Sequence, residues 1–593
     1  MKRITITTGM HILLAACIGL AWAGSVAAEQ SADESFDALV ADYERWETEQ
    51  NPIRAGRQGD LEAAARWPDA TPDAVKARRE AERKFLERLD KIDADALTGS
   101  NPTSHAVLDY VLRSDVALAR FNPERMPFVN DSGFFSMPLG VASSTRPRNI
   151  KHARAWLARL QALPDFLAQH RQWMARGVAE RFVQPAYVVE AVIAQIEAII
   201  DTPAEQSPLL EPFDGLPATL EATHGEALRE QAIEIVKTRV QPAYSTLLEF
   251  FRSEYLAEPR ESIGISAVPD GRDYYRELVR QHTTLDTTPE EVHERGLAEV
   301  ERIRAEMDRV IAEADFEGDF AEFLHFLRTD EQFYAETPRE LLKHAAWIAK
   351  RADDQMPRFF GKLPRLSYGV RPVPEHMAPN YTTGRYWPGD LENGVAGGYM
   401  VNTYALDQRP LYTLPALTLH EAVPGHHHQG SLAGEIEDVP EFRRQTYITA
   451  FGEGWALYTE HLGIEMGIYT TPYEHFGRLS YEMWRACRLV VDTGIHYFGW
   501  DRDKAEACFL ENSALAPHNV RTEVARYISW PGQALAYKTG ELLIRDLRKR
   551  AEQRLGDDFD LRAFHDHILA DGAMPLETLE ARMEAWIDEN AEG

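Results

Sequence analysis

Residues 420–429 read His-Glu-Ala-Val-Pro-Gly-His-His-His-Gln. A His-Glu pair followed by more His supplies the parts of a zinc hydrolase site. The first imidazole binds the metal, the adjacent Glu421 takes a proton from metal-bound water, and a later His is the second ligand. The usual second His stands at i+4, one turn up on the same helix face. Here that position is Pro424. On a regular helix His426 would lie ~120° off His420, and His427 and His428 ~10–12 Å along the axis. None of them could share one ion with His420 at Zn–N distances of ~2 Å. Pro424-Gly425 offers the way out. Proline removes a helix hydrogen bond and glycine frees the backbone beside it. Two residues bulged out there, as a local π-type widening, bring His426 to where i+4 normally sits. His420 and His426 are therefore the candidate ligands and Glu421 the candidate base. His427 is the reserve ligand, and His427 or His428 otherwise lines the pocket or holds a group that orients a ligand.

A catalytic zinc needs a third protein ligand and one open position. Glu453, between Gly452 and Gly454 at the head of an apolar stretch, is the candidate. A carboxylate among apolar residues is costly unless it meets a cation. Glu460, two turns on, is placed to anchor a ligand His. Residues 481–500 read as one apolar helix carrying Arg488, Asp492 and His496 at i, i+4, i+8, a charged stripe suited to a pocket wall. On this reading Asp492 orients a ligand His. Arg488 or Arg526 holds a substrate's terminal carboxylate. The oxyanion formed when water attacks a carbonyl needs a donor, and Tyr537 is the first candidate, Tyr527 the second and His496 the third. Residues 398–403 have strand character. A strand just ahead of the metal helix could pair with an extended peptide, so Tyr399 and Asn402 are candidate substrate contacts.

Four blocks of the chain carry a family resemblance: 420–429, 453–458 (Glu-Gly-Trp-Ala-Leu-Tyr), 488–496 (Arg-Leu-Val-Val-Asp-Thr-Gly-Ile-His) and 531–537 (Pro-Gly-Gln-Ala-Leu-Ala-Tyr). Together they resemble the bacterial family of unknown function numbered 885, over nearly all of the chain after its first residues. That family is thought akin to helical zinc metallopeptidases of the thimet oligopeptidase and Taq carboxypeptidase type. The resemblance implies His420, His426 and Glu453 as zinc ligands, Glu421 as the base, and a helical, zincin-like fold with a deep cleft. The chain departs from those peptidases in the residues inserted between the two His.

The elements that must position these groups are mostly helices. Apolar residues recur at three- and four-residue spacing over 150–180, 183–201, 222–256 and 288–314, and 72–96 is rich in helix formers. Thr288-Pro289-Glu290-Glu291 and Thr337-Pro338-Arg339-Glu340 are helix starts. Asp571-Gly572 stops one helix and Pro575-Leu576-Glu577 opens the next. Residues 357–418, rich in Pro and Gly, read as short strands and loops beside the metal helix. The chain divides into a mainly helical region, 29–356, and a zinc-binding region, 357–593, within one continuous two-lobed fold.

Residues 1–28 read as a signal peptide. Lys2 and Arg3 precede an apolar run from Ile12 to Ala23, and Val26-Ala27-Ala28 is a small-residue cleavage site. Leu14-Ala15-Ala16-Cys17 resembles a lipobox, but the apolar residues continue past Cys17, so simple export to the periplasm or medium is favoured over lipid anchoring. The two remaining cysteines, Cys487 and Cys508, make no disulfide framework. They could pair, but buried free thiols fit their apolar helical settings at least as well. Formal charge is 64 − 94 = −30 over 593 residues, which argues against nucleic acid and polybasic membrane contact. No membrane insertion is expected once the leader is removed. The expectation is a mostly α-helical, exported zinc peptidase acting on short peptides. The alternatives are another zinc amide or ester hydrolase, or a binding protein that keeps the zinc fold without turnover.

Overall fold

Helix-start chemistry sets the order of elements. The computed structural model describes residues 31–591 apart from 258, 376, 392 and 393. The leader and Cys17 lie outside the described residues. Five long helices open the chain: α1 (Ala32–Gln50), α2 (Pro72–Leu89), α3 (Asn101–Ala119), α4 (Ile150–Ala179) and α5 (Ala186–Asp201). The run expected over 222–256 is helical but uneven. Between Ala218 and Tyr255 α-helical turns alternate with π turns at Glu221–Gly225, Val236–Val240 and Phe251–Tyr255. Helices α6 (Pro289–Glu313) and α7 (Pro338–Phe359) begin where the Thr-Pro pairs predict. Thr288 and Glu291 close a reciprocal capping box, and the Thr337 side chain accepts from the Glu340 N–H.

The Pro- and Gly-rich segment contains three short strands, β1 (Tyr368–Pro372), β2 (Gly384–Trp387) and β3 (Gly397–Val401). Their order is β1-β3-β2. β3 runs parallel to β1, with Tyr368 opposite Gly397, and antiparallel to β2, with Tyr386 opposite Tyr399. The strand expected to receive an extended peptide is thus the central one, and both of its edges are already paired. The irregular segment is also narrower than 357–418, since α7 continues through Pro357 to Phe359 and the next helix opens at Leu414.

The rest is helical: α8 (Leu414–Glu421), α9 (His426–Gly434), α10 (Thr449–Leu462), α11 (Pro472–His496), α12 (Arg502–Asn512), α13 (Pro517–Ser529), α14 (Ala536–Leu555), α15 (Leu561–Leu569) and α16 (Leu576–Ala591). α11 lies at the centre, buried from Phe476 to His496. One apolar core runs from Phe36 to Ile587, on both sides of residue 356. α10 crosses α14 closely because glycines meet there. A Cβ on Gly454 would strike the Gly540 backbone, and one on Gly540 would strike the Ala450 carbonyl. This contact brings the start of α14 to the site described next. Among the described residues no helix is long and apolar enough to cross a membrane.

Candidate metal centre

The site is built on a chain break. α8 ends at Glu421, the backbone turns through 422–425, and α9 starts afresh at His426. This is a full interruption rather than the π-type bulge expected from the sequence. Gly425 packs directly onto the end of α8, where a Cβ would overlap the carbonyls of Leu419 and His420. α10 holds the turn in place. The Trp455 indole donates to the Pro424 carbonyl at 2.9 Å and the Thr459 hydroxyl to the Leu419 carbonyl at 3.1 Å.

The break brings the three expected ligands together. His420 Nε2 lies 3.4 Å and His426 Nε2 3.3 Å from Glu453 Oε2. The two imidazoles stand nearly perpendicular, 88°, with centroids 4.8 Å apart. One ligand atom from each of the three residues falls within 4.8 Å of the others. Donors bound tetrahedrally at ~2.05 Å stand ~3.3 Å apart, so both imidazole–carboxylate separations fit a single ion. The other His420 nitrogen, Nδ1, is 2.8 Å from Glu460 Oε1, which also takes Arg485 Nη2 at 3.2 Å. A carboxylate behind a ligand His fixes its tautomer and turns Nε2 toward the metal. Around this centre Glu421, Glu453 and Glu460 set three carboxylates against the one guanidinium of Arg485. With neutral imidazoles the surplus is two negative charges, which a divalent cation would balance.

The electrostatics agree. Burial pushes the Glu453 carboxyl up, but His426 and His420 beside it hold it well below the usual range. Burial likewise pushes the His420 imidazole down, and its hydrogen bonds to Glu453 and Glu460 override this and raise it to about 9. Glu421 is buried, and its Oε2 accepts the backbone N–H of Tyr386 at 2.7 Å. The edge strand β2 thus orients the candidate base.

His427 and His428 point elsewhere, so His427 is not the reserve ligand. His427 Nδ1 meets the Tyr386 hydroxyl at 3.1 Å and Ser431 Oγ at 3.3 Å, and burial lowers the imidazole to about 4. His428 is buried against the Phe360 ring, 4.6 Å away.

Tyr537, in the first turn of α14, is half-buried. Its ring lies parallel to that of His420, 14° and 6.5 Å between centroids. Among the described residues its hydroxyl has no hydrogen-bond partner, which leaves it available as a donor. Arg488 lies over the Tyr537 ring, 4.2 Å from its centroid. It is buried at 3% exposure and binds the Tyr527 hydroxyl and Glu523. Arg526 also binds Glu523, at 3.0 Å, and donates to Gln533. Two guanidiniums therefore share one carboxylate beside Tyr537.

Five expected site residues turn out to be structural. His496 is buried, with Nδ1 accepting from the Ile265 N–H and Nε2 donating to the Tyr527 carbonyl. With both nitrogens committed it cannot serve an oxyanion. Tyr399, expected to contact substrate, lies on the central strand with no exposed surface and its hydroxyl against Thr418. Asn402 is also fully buried, and its amide ties the carbonyls of Ala378, Tyr381 and Thr382 together. Asp492 orients no ligand His. It accepts from the Tyr275 hydroxyl at 2.6 Å and the Gly532 N–H at 3.0 Å. The second oxyanion candidate, Tyr527, is likewise buried and donates to Glu523 at 2.8 Å.

Sequence reasoning missed Tyr386, Arg485, Trp455 and Tyr447. Tyr447 exposes more than half of its surface, yet its hydroxyl end lies against Gly452, where any side chain would displace it. Burial of that end, with Glu453 and Tyr537 nearby, pushes the phenol well up. Gly452 was the only local signal for this packing.

The chain belongs to the family described as bacterial protein of unknown function (DUF885), whose model matches residues 52–583. Its fold is similar to that of a "putative lipoprotein" from Colwellia psychrerythraea, with a TM-score of 0.89 and 27% identity over 95% of this chain and 100% of that one. A second, from Shewanella oneidensis, described as a "putative lipoprotein of unknown function", shares the fold at a TM-score of 0.70 and 18% identity, covering 94% of this chain and 100% of its own. No curated protein matches the chain.

Proposed function

We propose that this protein is a zinc-dependent peptidase of the helical zincin type, acting on short peptides. The observation that carries the reading is the convergence of His420 Nε2 and His426 Nε2 on one oxygen of Glu453, with Glu421 held alongside by the Tyr386 N–H. His420, His426 and Glu453 would hold the zinc ion, which would supply a Lewis acid for the scissile carbonyl and acidify the attacking water. Glu421 takes the proton of that water and passes it to the leaving amine. The Tyr537 hydroxyl donates to the oxygen on which negative charge develops. Glu460 and Arg485 keep His420 in the tautomer that presents Nε2. The positive charge left over by Arg488 and Arg526 around Glu523 favours peptides whose free terminal carboxylate reaches Arg526, the less buried of the two. The lipoprotein descriptions of both structural neighbours support an extracytoplasmic location. They also bring anchoring through Cys17 back beside simple export.

The test is metal content by atomic emission together with turnover of a mixed peptide pool read by mass spectrometry. One zinc per chain, with cleavage abolished by Glu421→Gln, is the expected result. One zinc per chain without cleavage of any amide would point to a binding protein, and no bound metal would end the zinc reading.

A further inference from the structure

Two thiols meet far from the metal ligands in sequence and play no part in the chemistry above. Cys487 lies in the buried middle of α11 and Cys508 on α12, with their sulfurs 2.6 Å apart. Cys487 is fully enclosed, whereas Cys508 is partly exposed. From this separation a short movement closes the pair to the ~2.05 Å of a bond. The helices are joined by a brief turn through Gly499, where Trp500 packs on Gly494. Their relative position is thus set before any bond forms, as an unstrained crosslink requires.

We propose that Cys487 and Cys508 form a disulfide in the mature, exported protein. The inference rests on the extracytoplasmic location and is independent of the peptidase reading. The oxidant is a protein disulfide donor of the kind found in oxidising compartments. The exposed Cys508 thiolate attacks the donor disulfide, giving a mixed disulfide and releasing one donor thiolate. Cys487 then gives its proton to the donor thiolate released in the first exchange and attacks the Cys508 sulfur, releasing the second donor thiolate. One S–S bond forms in this chain and one breaks in the donor, which gains the two electrons. The product clamps α12 to α11, the helix that presents Arg485 to Glu460 and Arg488 to Tyr537.

The full chain, made with its own leader, is recovered from the extracytoplasmic fraction. It is alkylated in denaturant without reductant and then mapped by peptide mass spectrometry. The expected result is a linked pair of peptides containing residues 487 and 508, lighter than the reduced pair by two hydrogen atoms, with neither cysteine alkylated. Alkylation of both cysteines, or linkage of either to another chain, would overturn the proposal. A second measurement guards against misreading. Reductant is expected to lower the Tm of the native protein and to leave that of Cys508→Ser unchanged, and a native Tm indifferent to reductant would count against the clamp. Neither readout depends on zinc or turnover.

Discussion

Each polar atom of the centre has one task, and substitutions should separate the tasks. Glu421 touches no ligand atom of the metal cluster, so Glu421→Gln is expected to keep zinc at one per chain while kcat falls by ~10²–10⁴-fold, the usual contribution of a general base. Metal analysis and peptide turnover on one sample would check this, and loss of zinc would reassign Glu421 as a ligand. In the proposed mechanism Tyr537 acts only where charge develops. Tyr537→Phe is therefore expected to lower kcat by ~10²-fold with KM and zinc content unchanged. Glu460 would act on a bound metal only through His420 Nδ1. Glu460→Gln keeps the shape but weakens the acceptor, so zinc affinity by chelator competition should drop ~10–100-fold. The sequence made Glu460 legible because it sits two turns from Glu453 on the same helix. It could not show Arg485, whose contact with Glu460 depends on how α11 crosses α10.

At the scale of elements, the decisive feature is the break between α8 and α9. Its presence was legible in Pro424-Gly425, and so was its consequence, the delivery of His426 to Glu453. Its form was not. A regular helix offered only a bulge as a way to recover the face, whereas the chain abandons the helix because α10 satisfies the freed carbonyls from outside, through Trp455 and Thr459. Such partners lie 31 and 40 residues away in sequence, beyond any local pattern. The same limit hid Tyr386, which belongs to a strand whose edge position only the sheet order reveals. The break makes a sharp prediction about Gly425. A methyl group there would overlap the Leu419 and His420 carbonyls, so Gly425→Ala must open the turn and move His426. Zinc binding should be lost while far-ultraviolet circular dichroism keeps its helical amplitude. Gly430→Ala on α9, whose added methyl would approach nothing closer than a Tyr386 ring carbon at 3.9 Å, should bind zinc normally. Equal zinc content in the two variants would refute the packing argument.

Across the whole molecule, the stripe on α11 that resembled a pocket wall is an internal fastener, and its buried groups join buried His elsewhere in shaping the response to acid. The sequence showed charged groups on an apolar helix, but not that Ile265, Tyr275 and Gly532 come from other segments to occupy them. His496 is locked neutral because protonating Nδ1 would set it against the Ile265 N–H, and burial lowers it to about 3. His565, held between the Phe359 carbonyl and the Tyr458 hydroxyl, is lowered by burial to about 3. Unfolded, each titrates near 6.5. Between pH 6.5 and 3 the unfolded chain therefore binds more protons than the folded one at these sites, and stability is lost as pH falls. The slope is about 1.4 kcal/mol per pH unit for each His. Asp492 works in the opposite sense. Burial raises it to about 7, so from its unfolded value of ~3.8 up to pH 7 the folded state holds the extra proton. Its contribution offsets about one of the two His. Replacing His565 with Gln, which keeps one donor and one acceptor without titrating, should therefore flatten the dependence of unfolding free energy on pH between 4 and 6 by about 1.4 kcal/mol per unit. Chemical denaturation of both proteins across that range would measure it. Parallel slopes would mean that His565 is already charged in the fold, and that its bond to Tyr458 runs the other way.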